Sequence, residues 1–267
     1  SGEHAVVYGK MALAASISLG VSVSVVEQGG SEKNPVIDKA IEVAGGDGNI
    51  QVLIESELPI GSGLGSSAAV SAATIKAVRE YLNKPINEDE LFNLTFECEK
   101  LAHGNASGLD PAAVVYGGLI AYTKGQPFER LQIERPLKLL LVNTGKPTET
   151  TKEMIELVAK KLGNTEIINS IEGVVKQVRE RLIRGGDISE LINQNGVLLE
   201  DLGVVGKSAL LLSKELRDLG GKVKIAGAGG VKTGSGMMIV MHPDLTQTKK
   251  LLDNKQISYF ETEIGKE

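Results

Sequence analysis

The stretch IGSGLGSSAAV, residues 60 to 70, sets three glycines and three serines directly before a run of small helix formers. Upstream, IQVLIESEL (50–58) reads as a strand; downstream, SAAVSAATIKAVREYLN is rich in Ala and free of Gly or Pro until Pro85, which predicts a helix. Strand, bare loop, helix is a demanding order. The first amides of a helix have no intrahelical partner, and glycine lacks the Cβ that would keep another group away from them. A chain folded in this way lays a small-residue helix close against a sheet and opens the helix mouth to an anion. The plainer alternative is a turn in which Ser66 or Ser67 caps the helix.

Two familiar phosphate loops do not fit. GSGLGS has Ser66 where the dinucleotide fingerprint needs its third glycine, and no Gly-Lys-Ser or Gly-Lys-Thr follows to make a Walker loop. Any anion must also be held locally: 29 Lys and Arg against 34 Asp and Glu give a net charge of −5. No stretch gathers a basic face, which argues against nucleic-acid binding as the main role. With 42% hydrophobic and 24% charged residues the make-up is that of an ordinary globular protein. The most apolar stretch, residues 11–26, falls short of a membrane span and interleaves serines. One cysteine, Cys98, and three histidines, His4, His103 and His242, exclude a disulfide framework and a Cys/His zinc cluster. The lone cysteine suits a reducing compartment, and a cytoplasmic location is the expectation. The sequence opens without Met inside a patterned region, so its natural start is expected to lie upstream.

Alternation predicts a strand pair over 5–26, with Ile17, Leu19, Val21, Val23 and Val25 on one face. A short helix over 35–45 and the strand at 50–58 follow. Asn87, with Glu90 three residues on, announces a further helix that ends near Gly104. On its wheel Leu91, Leu94, Cys98 and Leu101 share an arc, Glu97 and Lys100 face away, and Glu99 sits on the shoulder. Another helix opens at DPAAVVYGG, where Asp110 can cap and Pro111 suits the first helical position. Past residue 131 come the strand LKLLLVN (137–143), four helical stretches between 149 and 219, strands in KVKIAGAGG and GSGMMIVM, and a final helix and strand. No internal repeat or low-complexity segment interrupts the pattern. The expected class is α+β in two lobes, 1–131 and 132–267.

PIGSGLGSSAA (59–69) resembles the central motif, Pro-x-x-x-Gly-Leu-Gly-Ser-Ser-Ala, of the family of kinases acting on galactose, homoserine, mevalonate and phosphomevalonate. Three other segments carry the likeness. GEHAVVYGK (2–10) is most similar to the members acting on mevalonate, and ECEKLAHGNASGLD (97–110) follows Glu-x-x-x-His-Gly-x-x-Ser-Gly-x-Asp. GAGG (227–230) resembles the last glycine motif, although it continues as VKTGSG where more glycine and a cysteine are usual. VNTGKPTETT (142–151) and NQNGVLLEDLGV (193–204) are looser matches.

The resemblance implies ATP- and Mg²⁺-dependent phosphorylation of the primary alcohol of mevalonate. It also implies an N-terminal α/β lobe with a left-handed βαβ feature, a C-terminal ferredoxin-like lobe, and homodimers as a frequent assembly. Gly61, Ser62, Gly63, Leu64, Gly65, Ser66 and Ser67 would wrap the ATP phosphates, with Gly227, Gly229 and Gly230 closing over them. Ser67 and Glu99 would hold Mg²⁺, which takes only one or two protein oxygens beside phosphates and water. Asp110 would be the acid/base residue, able to accept the alcohol proton. Glu3, His4 and Thr144 would meet the substrate. The Pro-Gly-Lys that usually precedes the first motif is not in this sequence. Other readings stay open: a different kinase of the same family, or a non-catalytic nucleotide-binding relative. Taken singly, Asp110 also fits a helix cap, Glu99 a side chain reaching water, and Glu3 and His4 a turn between strands. Lys232 fits either an ordinary loop lysine or a positive charge near the phosphates.

Overall fold

The computed structural model describes residues 1–30, 32, 34–57, 63–103, 106–161 and 165–265. In chain order a 3-10 turn, Ala5–Tyr8, is followed by β1 (Ala12–Ala15), β2 (Val21–Val26), α1 (Pro35–Val43), β3 (Gln51–Ser56), α2 (Ser66–Tyr81), α3 (Glu88–His103) and α4 (Leu109–Tyr116). Then come β4 (Leu119–Tyr122), β5 (Glu129–Leu131), β6 (Leu137–Asn143), α5 (Thr151–Lys160), α6 (Thr165–Ile183), α7 (Ser189–Asp201) and α8 (Lys207–Asp218). β7 (Lys222–Ile225), β8 (Met237–Met241), α9 (Thr246–Asn254) and β9 (Tyr259–Ile264) follow.

The chain divides into two compact units. The smaller comprises the described residues within 18–57 and 65–117. Here β2 and β3 pair antiparallel from Val21↔Ser56 to Val26↔Gln51, and α1 to α4 supply the helices. Asn34 starts α1 by accepting from Val36 N at 2.9 Å, with Pro35 in the first turn where its missing N–H costs nothing. The core joins Ala40 and Ile41 of α1, Val52 of β3, Ala72, Ile75 and Val78 of α2, and Leu91 and Cys98 of α3. The buried arc of α3 runs through Leu91, Thr95, Cys98 and Glu99, while Leu101, expected inside, is 55% exposed. The inward face is thus rotated toward Glu99 from where leucine spacing alone puts it.

The larger unit comprises the described residues within 1–17, 63–64 and 118–265. Residues 5–26 do not form the expected strand pair. Residues 5–8 make the 3-10 turn, β1 pairs antiparallel with β4 from Ala12↔Tyr122 to Ala15↔Leu119, and β2 belongs to the other unit. The compact units therefore differ from sequence-continuous lobes cut at 131, because the ladder from β1 to β4 and β5 ties residues 12–15 to chain that follows 118.

The second sheet of this unit has the order β7-β8-β6-β9 with every neighbour antiparallel. With α5 to α8 between β6 and β7, and α9 between β8 and β9, this is the β-α-β-β-α-β arrangement of a ferredoxin-like fold. Thr150 and Glu153 start α5 with a reciprocal capping box. Helix α7 approaches the edge strand β7 most closely at Gly196, where a Cβ would stand 2.0 Å from Val223 O. That close approach fixes β7, and with it the glycine turn that leaves its end.

Candidate functional site

In the smaller unit the mouth of α2 is bare. Gly65 precedes the helix with φ 68 and ψ 23, and no side chain caps it. The first helical bond runs from Ala69 N to Gly65 O at 3.0 Å, which leaves the amides of Ser66, Ser67 and Ala68 without a place in the helical ladder. Capping by Ser66 or Ser67 is not realised, and the first turn contains no acidic residue. Ser67 Oγ is buried with no hydrogen-bond partner among the described residues. Gly61 and Ser62 lie outside the described residues.

Asp110 stands beside this mouth. A Cβ built on Gly65 would lie 3.5 Å from Asp110 Cβ and 3.6 Å from Asp110 Cγ. Nor is Asp110 the cap of α4. Gly108 occupies that position with φ 90, and Ser107 Oγ accepts from Leu109 N at 3.2 Å, so Asp110 sits within the first turn with its side chain exposed. Glu99 is 3% exposed on α3, which packs along α2. The carboxylate that sits on the shoulder of the sequence wheel is thus inside the unit.

In the larger unit the segment Gly2–Ala5 makes a turn of an unusual kind. Ala5 N donates to Glu3 O at 2.7 Å, and His4 between them has φ 61 and ψ −45. This is close to the rare γ-turn geometry that a side-chain-bearing residue adopts only under strain. His4 is buried, with Nε2 2.9 Å from Ala228 O. A carbonyl can only accept, so the proton is on Nε2 and Nδ1 is the acceptor. Burial lowers the imidazole's pKa, against the opposing pull of Ala228 O and Glu3. The Nε2 proton of His4 is thus directed at the glycine turn.

Glu3 Oε1 accepts from Lys224 Nζ, which also donates to Ile225 O at 2.7 Å. Burial pushes the Glu3 carboxyl up, but the Lys224 ammonium beside it overcomes this and brings it down to about 2. Lys224 was not legible as a site residue. It alternates with Val223 and Ile225 along β7, a pattern that assigns lysine to solvent, yet it is 1% exposed. Its place three residues ahead of GAGG is the one signal that could have singled it out.

The turn after β7 meets the loop before α2 backbone to backbone. A Cβ on Gly227 would fall 2.9 Å from Gly63 Cα and 3.0 Å from Gly63 O, and one on Gly63 would fall 2.9 Å from Ala226 O. Leu64 follows in the same unit. Gly229 has φ 77, and Gly230 faces Gly234 O and Pro147. A cavity of about 60 Å³ lies beside this turn, lined by Gly63, Pro147, Glu149, Ala226, Ala228 and Ser235 among others. Thr144 does not offer a free hydroxyl: Oγ1 donates to Gly236 O at 2.7 Å and accepts from Ser235 N at 3.0 Å. Glu149 Oε1 accepts from the amides of Val231 (3.2 Å) and Lys232 (3.0 Å), while the Lys232 residue itself is exposed.

Residues 34–118 match the GHMP kinases N terminal domain. A mevalonate kinase of Archaeoglobus fulgidus is 33% identical over 249 residues, covering 86% of this chain and 85% of that protein. One of Thermococcus gammatolerans is 31% identical over 293 residues, covering 91% and 86%. Among solved structures, the Methanococcus jannaschii mevalonate kinase aligns with a TM-score of 0.80 at 23% identity, covering 98% of this chain and 94% of that one. The L. major mevalonate kinase in complex with R-mevalonate aligns with a TM-score of 0.81 at 23% identity, covering 99% and 92%. Fold and glycine loops together define a two-lobed α+β kinase of small molecules. More particularly, the chain belongs to the GHMP kinase family, among its mevalonate kinases.

Proposed function

We infer that this chain transfers the γ-phosphoryl group of ATP to the primary alcohol of mevalonate, giving phosphomevalonate and ADP. The observation that most supports the assignment of roles is Asp110 lying against Gly65 at the uncapped mouth of α2. The amides of residues 66–68 are fixed dipoles directed at the phosphate tail, which need no reorganisation as charge shifts during transfer. The alcohol oxygen forms a bond to the γ-phosphorus as the bond to the β–γ bridging oxygen breaks, and ADP leaves with that electron pair. The hydroxyl proton passes to the Asp110 carboxylate.

Ser67 Oγ, buried without a hydrogen-bond partner among the described residues, and the buried carboxylate of Glu99 fit a Mg²⁺ ion that draws most of its shell from phosphate and water. Bound there, it would supply positive charge to the phosphates. Among the described residues no three His, Cys, Asp or Glu side chains gather into a larger metal site. In the larger unit Glu3 is assigned to a substrate hydroxyl, which its second carboxylate oxygen can accept. A cytoplasmic homodimer completes the proposal; no helix among the described residues is long and apolar enough to cross a membrane.

The test is turnover by the full-length chain with mevalonate, phosphomevalonate, homoserine and galactose offered separately. Asp110→Asn is expected to lower kcat with mevalonate by about a hundredfold or more while nucleotide affinity holds. Glu99→Ala is expected to weaken Mg²⁺-nucleotide binding. Undiminished turnover by Asp110→Asn would remove the proton acceptor from this scheme. Activity on any of the other alcohols but not on mevalonate would reassign the substrate.

A further inference from the structure

Lys224 is the bulkiest side chain sealed from solvent among the described residues. Its ammonium donates to Ile225 O at 2.7 Å and to Glu3 Oε1, and so joins the first motif of the chain to the strand end that launches the glycine turn. Glu3 Oε2, although buried, has no hydrogen-bond partner among the described residues.

Stability alone explains this arrangement poorly. Desolvation of both ions offsets most of their attraction, and apolar residues of similar volume often serve as well in such a place. A carboxylate oxygen left unpaired in the interior adds a further cost. What a charge-assisted bond from a buried ammonium does provide is direction. With Oε1 held by Lys224, Oε2 becomes an acceptor of fixed position. The strained turn at His4 and the bond from His4 to Ala228 O restrain the same segment independently.

We propose that Lys224 is a positioning residue: it orients the Glu3 carboxylate so that Oε2 accepts a hydroxyl of the alcohol substrate. This rests on the assignment of Glu3 to the substrate given above. Lys224 acts through Glu3 and not on the nucleotide, so its removal changes capture of the alcohol and leaves capture of ATP as it was.

The experiment is steady-state kinetics on the full-length chain carrying Lys224→Met, Glu3→Gln or both, with mevalonate and ATP varied separately. Glutamine keeps an oxygen for Lys224 but places an NH₂ donor where Oε2 accepted. Each single variant is expected to raise KM for mevalonate about tenfold or more, with KM for ATP within about twofold of the parent, and the double variant should be no worse than Glu3→Gln alone. A rise in Glu3→Gln without one in Lys224→Met overturns the role of Lys224 and leaves Glu3 in place. No rise in either shows that Glu3 does not meet the substrate, and the inference falls with it. A double variant whose defect is the product of the two single defects overturns it as well, because Lys224 would then act independently. Should Lys224→Met not fold, Lys224→Arg keeps the charge and displaces the donor. A raised KM for mevalonate at an unchanged melting temperature then supports the proposal, and an unchanged KM overturns it.

Discussion

Glu3 and His4 are neighbours whose titration makes acid weaken this fold in two separate steps. Burial, the largest influence on His4, lowers its pKa from the ordinary 6.5, so its contribution to stability is complete above 6.5 and is lost as pH falls below that value. For Glu3, burial acts upward, but the Lys224 ammonium wins and depresses the carboxyl from 4.5 to about 2. Its contribution is therefore complete above 4.5 and is lost as pH falls from 4.5 toward 2. Melting temperature followed against pH should show Glu3→Gln losing less than the parent between pH 4.5 and 2. His4→Asn, in which asparagine tolerates positive φ, should lose less just below pH 6.5. Curves that fall in parallel would show that neither group is linked to folding. At this scale the sequence disclosed residue types and not their partners. The motif singled out Glu3 and His4, but the proton of His4 goes to a backbone carbonyl 224 positions away. Lys224 was hidden because a strand's alternation says which face a side chain takes and nothing about what covers that face.

Helices and strands were the most legible level, since each is announced by a local pattern. Asn87 does accept from Glu90 N at 2.8 Å ahead of α3, and the Ala-rich run after the glycine loop is α2. What local pattern misjudged was the facing of α3, whose inward arc follows Thr95 and Cys98 toward Glu99 because packing against α1 and α2 favours small side chains there. The pairing of Gly63 with Gly227 was also out of reach, as it joins two loops far apart in the chain. Gly227→Ala tests that pairing against a matched control. Gly125 has φ 81 with open space around its would-be Cβ, so Gly125→Ala reports backbone strain alone, about 1–2 kcal/mol. Gly227, with φ 74, adds a Cβ at 2.9 Å from Gly63 Cα. Chemical denaturation should therefore show a larger loss for Gly227→Ala than for Gly125→Ala, and only Gly227→Ala should raise KM for ATP. Equal losses with unchanged nucleotide kinetics would mean that the two loops part without consequence.

For the whole molecule, the question is which parts of the chain open as one. The local pattern changes past residue 131, which suggests lobes that follow one another in sequence, whereas β1 finds its hydrogen-bond partner in β4, more than a hundred residues later. Such a pairing carries no local signature, because strand periodicity is the same whichever partner is taken. The ferredoxin-like order of β6 to β9 was easier to anticipate, being composed of consecutive elements. Hydrogen exchange under native conditions distinguishes the two partitions. β1 shares its ladder with β4 and lies against α6, and Lys10 meets Glu172 of that helix at 3.2 Å, so amides of residues 12–15 should share an opening free energy with those of 119–122. Amides of β2 and β3, which pair with each other in a two-stranded sheet among the described residues, should open with α2 instead. The comparison is direct, because a protein divided at residue 131 would have β1, β2 and β3 exchanging together. Exchange of 12–15 in step with 51–56 would therefore show that cooperativity follows chain order; exchange in step with 119–122 would show that it follows the sheets.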